Sequence, residues 1–234
     1  VGKKELLLFA KLFDGNHNWH EARLPAIHTK QLVDVLSCFT KQETVLNDMK
    51  DQIYTTIMWE EKKGQESGTI ERYVHFPESA LDTIFSGPHI GVSNPLFKTS
   101  RRVCRLKSDF DSIDLTAIQA DYMQRCNYRP ACSVEDYRKR IPQTPWNTNY
   151  HSEYRILIRK MLNISGERTL VPAIVPTEVG HIDGLFGIAA KVGLVILAGS
   201  MSSLPYDYYV KASGRTNGRF DAIANLPLLL KKQQ

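Results

Sequence analysis

Apolar residues return at helical intervals over residues 3–13, where Leu6, Leu7, Phe9, Ala10 and Phe13 make one stripe before Asp14-Gly15-Asn16 ends it with turn chemistry. The same spacing predicts a second helix over 29–39, capped by Thr29 and buried through Leu32, Val33, Val35, Leu36 and Phe39. Residues 41–63 are polar and predict helix in part, and 64–68 predicts a flexible loop. Ile70, Tyr73 and Val74 predict a short strand over 69–76. The middle, 86–146, is rich in loops, and its prolines exclude one long regular element. Short helices are expected inside it at 115–125 and 133–140, the second opened by Ser133 with Glu135 and Asp136 in its first turn.

The last third reads as alternating elements. Residues 154–162 have helical spacing, which puts Arg155 and Arg159 on one face. A β-rich run over 169–175 stops at Pro176, a strand is predicted at 192–198, and a helix at 203–212 closes on Gly214. An apolar segment at 225–230 precedes a Lys-Lys-Gln-Gln tail. The mixture lacks a βαβ rhythm, so the expected class is α+β. Two regions are expected: a mainly helical N-terminal connector (1–85), packed on a mixed α/β domain with long loops (86–234).

Composition narrows this only slightly. The chain has 234 residues, 42% hydrophobic and 24% charged, the proportions of a globular domain with a real core. No run of 18 apolar residues predicts a membrane helix, and no basic-then-apolar leader opens the chain. It begins Val1-Gly2, which suggests a piece of a longer protein. Cys38, Cys104, Cys126 and Cys132 are scattered without a disulfide framework, which fits free thiols in a reducing cytoplasm. A net charge of +5 permits nucleic-acid binding, and the distribution of that charge decides more than its sum.

Catalytic chemistry can be sought through its required parts. A phosphate loop of the Gly-x4-Gly-Lys-Ser/Thr type is missing. Gly180, Gly184 and Gly187 are the nearest imitation of a cofactor-binding glycine turn, but their spacing is wrong and turn duty explains them. Asn94-Pro95-Leu96-Phe97 resembles the Asn/Asp-Pro-Pro-Tyr/Phe box that holds an extruded base, yet Leu96 replaces the second proline, so it reads as a turn into a basic strand or loop. His17-x2-His20 and Cys126-x5-Cys132 complete no four-ligand zinc spacing. Asp48-Met49-Lys50 and Glu60-Glu61-Lys62 match the short tail of a nuclease site, and a solvated charged face accounts for both. No catalytic centre, cofactor site or metal site is therefore expected.

Basic residues are more informative. Lys98, Arg101, Arg102, Arg105 and Lys107 fall within ten residues with no acid among them, and Thr99 lies in the same run. Such donors suit phosphates, each of which releases counterions when neutralised, and arginine also matches the O6/N7 edge of guanine. A second group is Arg155, Arg159 and Lys160; a third is Lys211, Arg215 and Arg219 across a turn that contains Thr216 and Asn217.

One set of segments carries a family likeness. Gly166-Glu167-Arg168-Thr169-Leu170 runs on to Pro172 and Pro176, followed by Ser203 to Lys211, Gly214-Arg215-Thr216-Asn217 and Asn225-Leu226-Pro227. Upstream stand Ser86-Gly87-Pro88-His89, Asn94 to Arg101 and Asn127 to Cys132. In order and spacing this set resembles the region after the catalytic domain of large type IIG-like restriction–modification adenine DNA methylases, including the phage-defence methylases of BREX and DISARM systems. The likeness covers roughly 86–230 and is fainter before that, with loop spacing as its main guide. It implies a target-recognition domain at 86–234 that reads double-stranded DNA. A catalytic domain, in the same or a partner chain, would flip and methylate an adenine with S-adenosylmethionine. Implied DNA contacts are Lys98, Thr99, Arg101, Arg102, Arg105, Lys107, Arg155, Arg159, Lys211, Arg215, Thr216 and Asn217. Arg168 and Tyr206, Tyr208 and Tyr209 also lie in the resembling segments, but a paired buried arginine and core tyrosines are the expected roles. The competing expectation is a noncatalytic protein-interaction module that docks on a methylase or defence complex.

Overall fold

The computed structural model describes residues 1–25, 27 and 29–228; the end of the predicted apolar segment at 225–230 and the basic tail lie outside the described residues. Helices are α1 (Lys3–Phe9), α2 (Lys30–Phe39), α3 (Glu61–Glu66), α4 (Val134–Arg140), α5 (Leu194–Ser202), α6 (Leu204–Ala212) and α7 (Phe220–Ile223). The strands of the first half are β1 (Ile53–Thr56), β2 (Ile70–Glu71), β3 (Ile84–Phe85), β4 (Lys98–Ser100) and β5 (Phe110–Ser112). Those of the second are β6 (Arg129–Pro130), β7 (Arg155–Arg159), β8 (Pro172–Val175), β9 (Gly180–His181) and β10 (Leu185–Ala190). The fold is mixed α+β.

At its centre lies an antiparallel sheet in the order β1-β10-β7-β8. Side chains alternate across it with the period of two that a strand imposes. Ile156, Ile158, Phe186 and Ile188 enter the largest core, which joins the two ends of the chain through Phe9, Phe13 and Leu36, with Met201 and Tyr209 from α5 and α6. Leu157, Ala173, Val175 and Leu185 belong to a separate core, shared with Phe85 and Ile90. Three two-stranded pairs, β2-β6, β3-β9 and β4-β5, carry the loops of the middle region.

Several predicted elements are corrected. Residues 154–162 hold β7, not a helix: Arg155 to Ile158 are buried, and a strand covered on both faces shows a continuous apolar run instead of alternation. The strand expected at 192–198 is α5, which starts after Gly193 in the left-handed region (φ 72°). Short apolar runs fit either element, and the N-capping glycine decides here. Residues 115–125 form no helix, because Asp114 Oδ1 accepts from the backbone N–H and hydroxyl of Thr116 (2.9 and 2.7 Å) and closes a local turn. The loop expected at 64–68 is partly the last turn of α3, where Gly64 lets Ile70 approach; a Cβ there would lie 2.8 Å from Ile70 Cγ1. Within 41–63 a strand, β1, replaces part of the expected helix, and the strand at 69–76 shrinks to β2.

Other expectations hold. Helix α2 follows Thr29, although the hydroxyl makes no cap hydrogen bond. Ser133 caps α4 by accepting from Asp136 N–H (3.1 Å), and α6 ends before Gly214. The four cysteines are free thiols, with Cys104 and Cys126 buried. Among the described residues, no helix is long and apolar enough to cross a membrane.

Candidate nucleic-acid interface

The basic run of the sequence becomes a hairpin. Strands β4 and β5 pair antiparallel, Lys98 opposite Ser112 and Ser100 opposite Phe110, and residues 101–109 form the loop between them, largely exposed around buried Cys104. Asp109 closes the loop: its carboxylate accepts from the backbone N–H of Arg105 (2.9 Å) and Leu106 (2.8 Å), and its carbonyl from Arg101 N–H (3.0 Å). Those two donors hold the Asp109 carboxyl below its usual pKa.

The base of the hairpin is tied to the body. The Arg125 carbonyl accepts from Ser100 N–H (3.1 Å), and Arg125 N–H donates to Thr99 Oγ1 (2.9 Å). Phe110 packs edge-on against His89, ring centroids 5.2 Å apart. His89 is buried; its Nδ1 accepts from Ser86 N–H (2.9 Å) and its Nε2 faces the Arg125 carbonyl (3.2 Å), which assigns the proton to Nε2. Burial pushes its pKa down to about 4, so the ring is neutral.

Beside the hairpin lies a cavity of about 480 Å³. Five cations line it: Lys98, Arg105 and Lys107 from the hairpin, Arg159 from the end of β7, and Arg72. Spacing four residues apart puts Arg155 and Arg159 on one face of β7, as it would on a helix, but their fates differ. Arg159 half-emerges at the cavity, with Nε donating to the Ile90 carbonyl (2.7 Å) and the guanidinium 5.2 Å from the Phe97 ring.

Arg155 corrects the expectation of a DNA contact. It is fully buried, donating to the carbonyls of Glu153 (3.1 Å), Pro176 (3.0 Å) and Val179 (2.8 Å) and lying 4.9 Å from the Tyr150 ring. Its role is to tie the end of β7 to the 176–179 turn.

The other predicted contacts divide by partner. Thr99 is a hairpin fastening through its bond with Arg125. Arg101 is paired with Asp111, with Nε and Nη2 each 2.8 Å from Oδ1. Arg102 is exposed at the start of the loop. Lys211 donates to the Gly166 carbonyl (2.7 Å) and Arg215 is paired with Asp221. Thr216 and Asn217 meet the site through backbone only: the Thr216 carbonyl accepts from Leu162 N–H (3.0 Å), and Asn217 bridges to Met161, which lines the cavity. Met161 is also where the groups touch, since Lys107 Nζ lies 3.1 Å from its sulfur.

Sequence reading missed Arg72. Flanked by Glu71 and Tyr73, it belongs to no basic run, and only the fold brings its Nη2 to the carbonyls of Cys104 (3.1 Å) and Arg105 (3.0 Å). Two of the segments that carry the family likeness also end here: Ser86 and Asn127 line the cavity, and Ser86 Oγ donates to Asn127 Oδ1 (3.0 Å). Arg168 and the tyrosines are structural, as expected. Arg168 faces buried Asp207, whose Oδ1 accepts from the N–H of Thr169 (2.8 Å) and Leu170 (2.7 Å). Tyr206 and Tyr209 are buried, with hydroxyls on the carbonyls of Pro227 and Leu12. Asn94 Oδ1 accepts from Leu96 N–H (2.9 Å), forming the turn that leads into β4.

Compared with known proteins, the chain matches no family model and has no significant match among curated proteins.

Proposed function

We propose that this chain is the DNA-reading region of a restriction–modification or phage-defence adenine methyltransferase, working beside a catalytic domain in the same or a partner chain. That domain, by the family likeness, would hold S-adenosylmethionine, and the assembly would work in the cytoplasm. The observation that carries the reading is the convergence on one cavity of five cations without a carboxylate partner among the described residues. Among the described residues, Arg101, Arg129, Arg138, Arg168, Arg215, Lys139 and Lys160 all have carboxylate partners within ion-pair distance. The five cations around the cavity appear in none of those pairs. Unpaired cations gathered from three separate stretches of sequence form a ready phosphate surface, and the largely exposed 101–109 loop next to them can reach base edges.

The test is duplex binding against salt. The slope of log K on log salt should become shallower by about 0.9 for each phosphate contact removed in Lys98→Gln, Arg105→Gln and Lys107→Gln. An unchanged slope in the triple variant would sink the reading. Selection from a random duplex pool then separates sequence reading, seen as an enriched motif, from backbone contact alone.

A second reading, docking on a methylase or defence-complex protein, is favoured by one feature. Val195 and Ile196 on α5 and Leu204 at the start of α6 are exposed (72%, 49% and 70%). Nuclease-resistant association with a methylase, lost in Val195→Asp but retained in the Lys98, Arg105 and Lys107 variant, would favour it over DNA reading.

A further inference from the structure

We infer that the cavity behind the hairpin is a binding site for one unpaired nucleotide, held by its phosphate and touched at its base. That a DNA strand supplies the nucleotide rests on the proposed function; the chemistry of the pocket does not.

The first argument is shape. An intact duplex presents its phosphates on a convex surface, which an exposed hairpin meets without any hollow. A volume of about 480 Å³ falls instead within the roughly 300–1,000 Å³ of small-molecule sites.

Charge gives the second argument. The lining holds five cations and two carboxylates, Glu61 and Asp183, a balance of +3. Both carboxylates are engaged: Glu61 accepts from the Tyr128 hydroxyl, and Asp183 is paired with Lys160. The cations are differently held. Arg72 and Arg159 spend donors on backbone carbonyls, which fixes their guanidinium planes, and each keeps further N–H groups. Lys98 and Arg105 make no side-chain hydrogen bond among the described residues. Two oriented guanidinium groups and three cations free of carboxylate partners among the described residues suit a phosphate with several oxygens.

The third argument concerns the rest of the wall. Phe110, Tyr128, Leu106 and Met161 supply apolar and aromatic surface that a bare phosphate would not use. Asn127 is 5% exposed, and its Oδ1 is taken by Ser86. Its amide Nδ2 makes no hydrogen bond among the described residues and is not sealed from solvent, leaving a free donor at the cavity wall for a base acceptor.

The experiment uses the full chain and calorimetric titration with deoxyadenosine monophosphate, deoxyadenosine, inorganic phosphate, a matched duplex, and that duplex with one mismatched pair. The monophosphate should saturate at one site and bind at least about tenfold tighter than either of its parts alone. Lys98→Gln with Arg105→Gln should weaken it by a similar factor, and Lys139→Gln, exposed on α4 outside the cavity lining, should leave it unchanged. Neither Lys98 nor Arg105 supports the fold through its side-chain hydrogen bonds, so loss of binding reports on the site. Tighter binding of the mismatched duplex than the matched one makes the strand the source. Saturable monophosphate binding with no affinity for either duplex keeps the pocket, makes free nucleotide the source, and removes the proposed function. Duplex binding without monophosphate binding removes the pocket and leaves the DNA-reading region standing. Inorganic phosphate binding as tightly as the monophosphate overturns the nucleotide assignment.

Discussion

Lowering the pH from 7.5 to 5 should destabilise the fold by about 4 kcal/mol, and two histidines account for it. His89 and His181 are both fully buried. Burial lowers His89 from 6.5 to about 4, and burial with the nearby Arg155 charge lowers His181 to about 3. The folded protein therefore leaves both rings neutral at pH 5, whereas the unfolded chain protonates them below 6.5. Stability is present above that value and falls as pH drops towards the folded values. At pH 5 each ring lies about 1.5 pH units below its unfolded midpoint, and one unit is worth about 1.36 kcal/mol, so each contributes about 2 kcal/mol. His151, also lowered chiefly by burial, acts in the same direction. Carboxylates such as Asp109 and Asp114, lowered from 3.8, lose their contribution only below that pH and stay outside the window. The assay is urea unfolding followed by tryptophan fluorescence at pH 7.5, 6 and 5, for the native chain and for His89→Gln. The native chain should lose a large share of a typical 5–15 kcal/mol, and the variant should show about half the pH dependence. Stability constant within about 0.5 kcal/mol from pH 7.5 to 5, or a His89 ring titrating near 6.5 by NMR, refutes the reasoning.

Three further outcomes are expected. Gly187→Ala should cost about 1–3 kcal/mol in thermal melts, because a Cβ there collides with the Tyr150 hydroxyl and lies 2.7 Å from His181 Nε2; adding Tyr150→Phe should restore part of it. Asp207→Ala should cost about 3–5 kcal/mol in urea titrations, since it strands the two backbone N–H groups and the arginine it serves. Asp111→Asn should release Arg101 and strengthen duplex binding, with a salt slope steeper by about 0.9 if the freed guanidinium takes a phosphate; weaker binding would show that Asp111 positions Arg101 for its contact.

The legible parts of the sequence were those with local signals. Ser133 with acid behind it marks α4, Gly214 closes α6, and the basic run at 98–107 has no acid within it. The illegible parts depended on distant partners. Whether Ile156-Leu157-Ile158 makes a helix or a strand is decided by β8 and β10 lying on either side, which the segment itself does not encode. The site shows the same division. Lys98, Arg105 and Lys107 announce themselves by clustering, and Arg159 by its charge beside an apolar run. Arg155 carries the same local signal as Arg159 but is enclosed by Tyr150 and the 176–179 turn. Arg72 meets the cavity through partners more than thirty positions along the chain, the loop carbonyls and the Tyr128 ring.

How Arg72 holds that loop has a consequence for diversification. Its guanidinium takes the carbonyls of residues 104 and 105, and the loop is closed by Asp109 on main-chain N–H groups. Apart from Asp109, these fastenings read the course of the loop's backbone and ignore which side chains it bears. The tip can therefore be rewritten, residue by residue, while its path stays the same. A library randomised at Arg102, Val103, Leu106 and Ser108 would vary what the hairpin presents while keeping its scaffold, much as one handle accepts interchangeable blades.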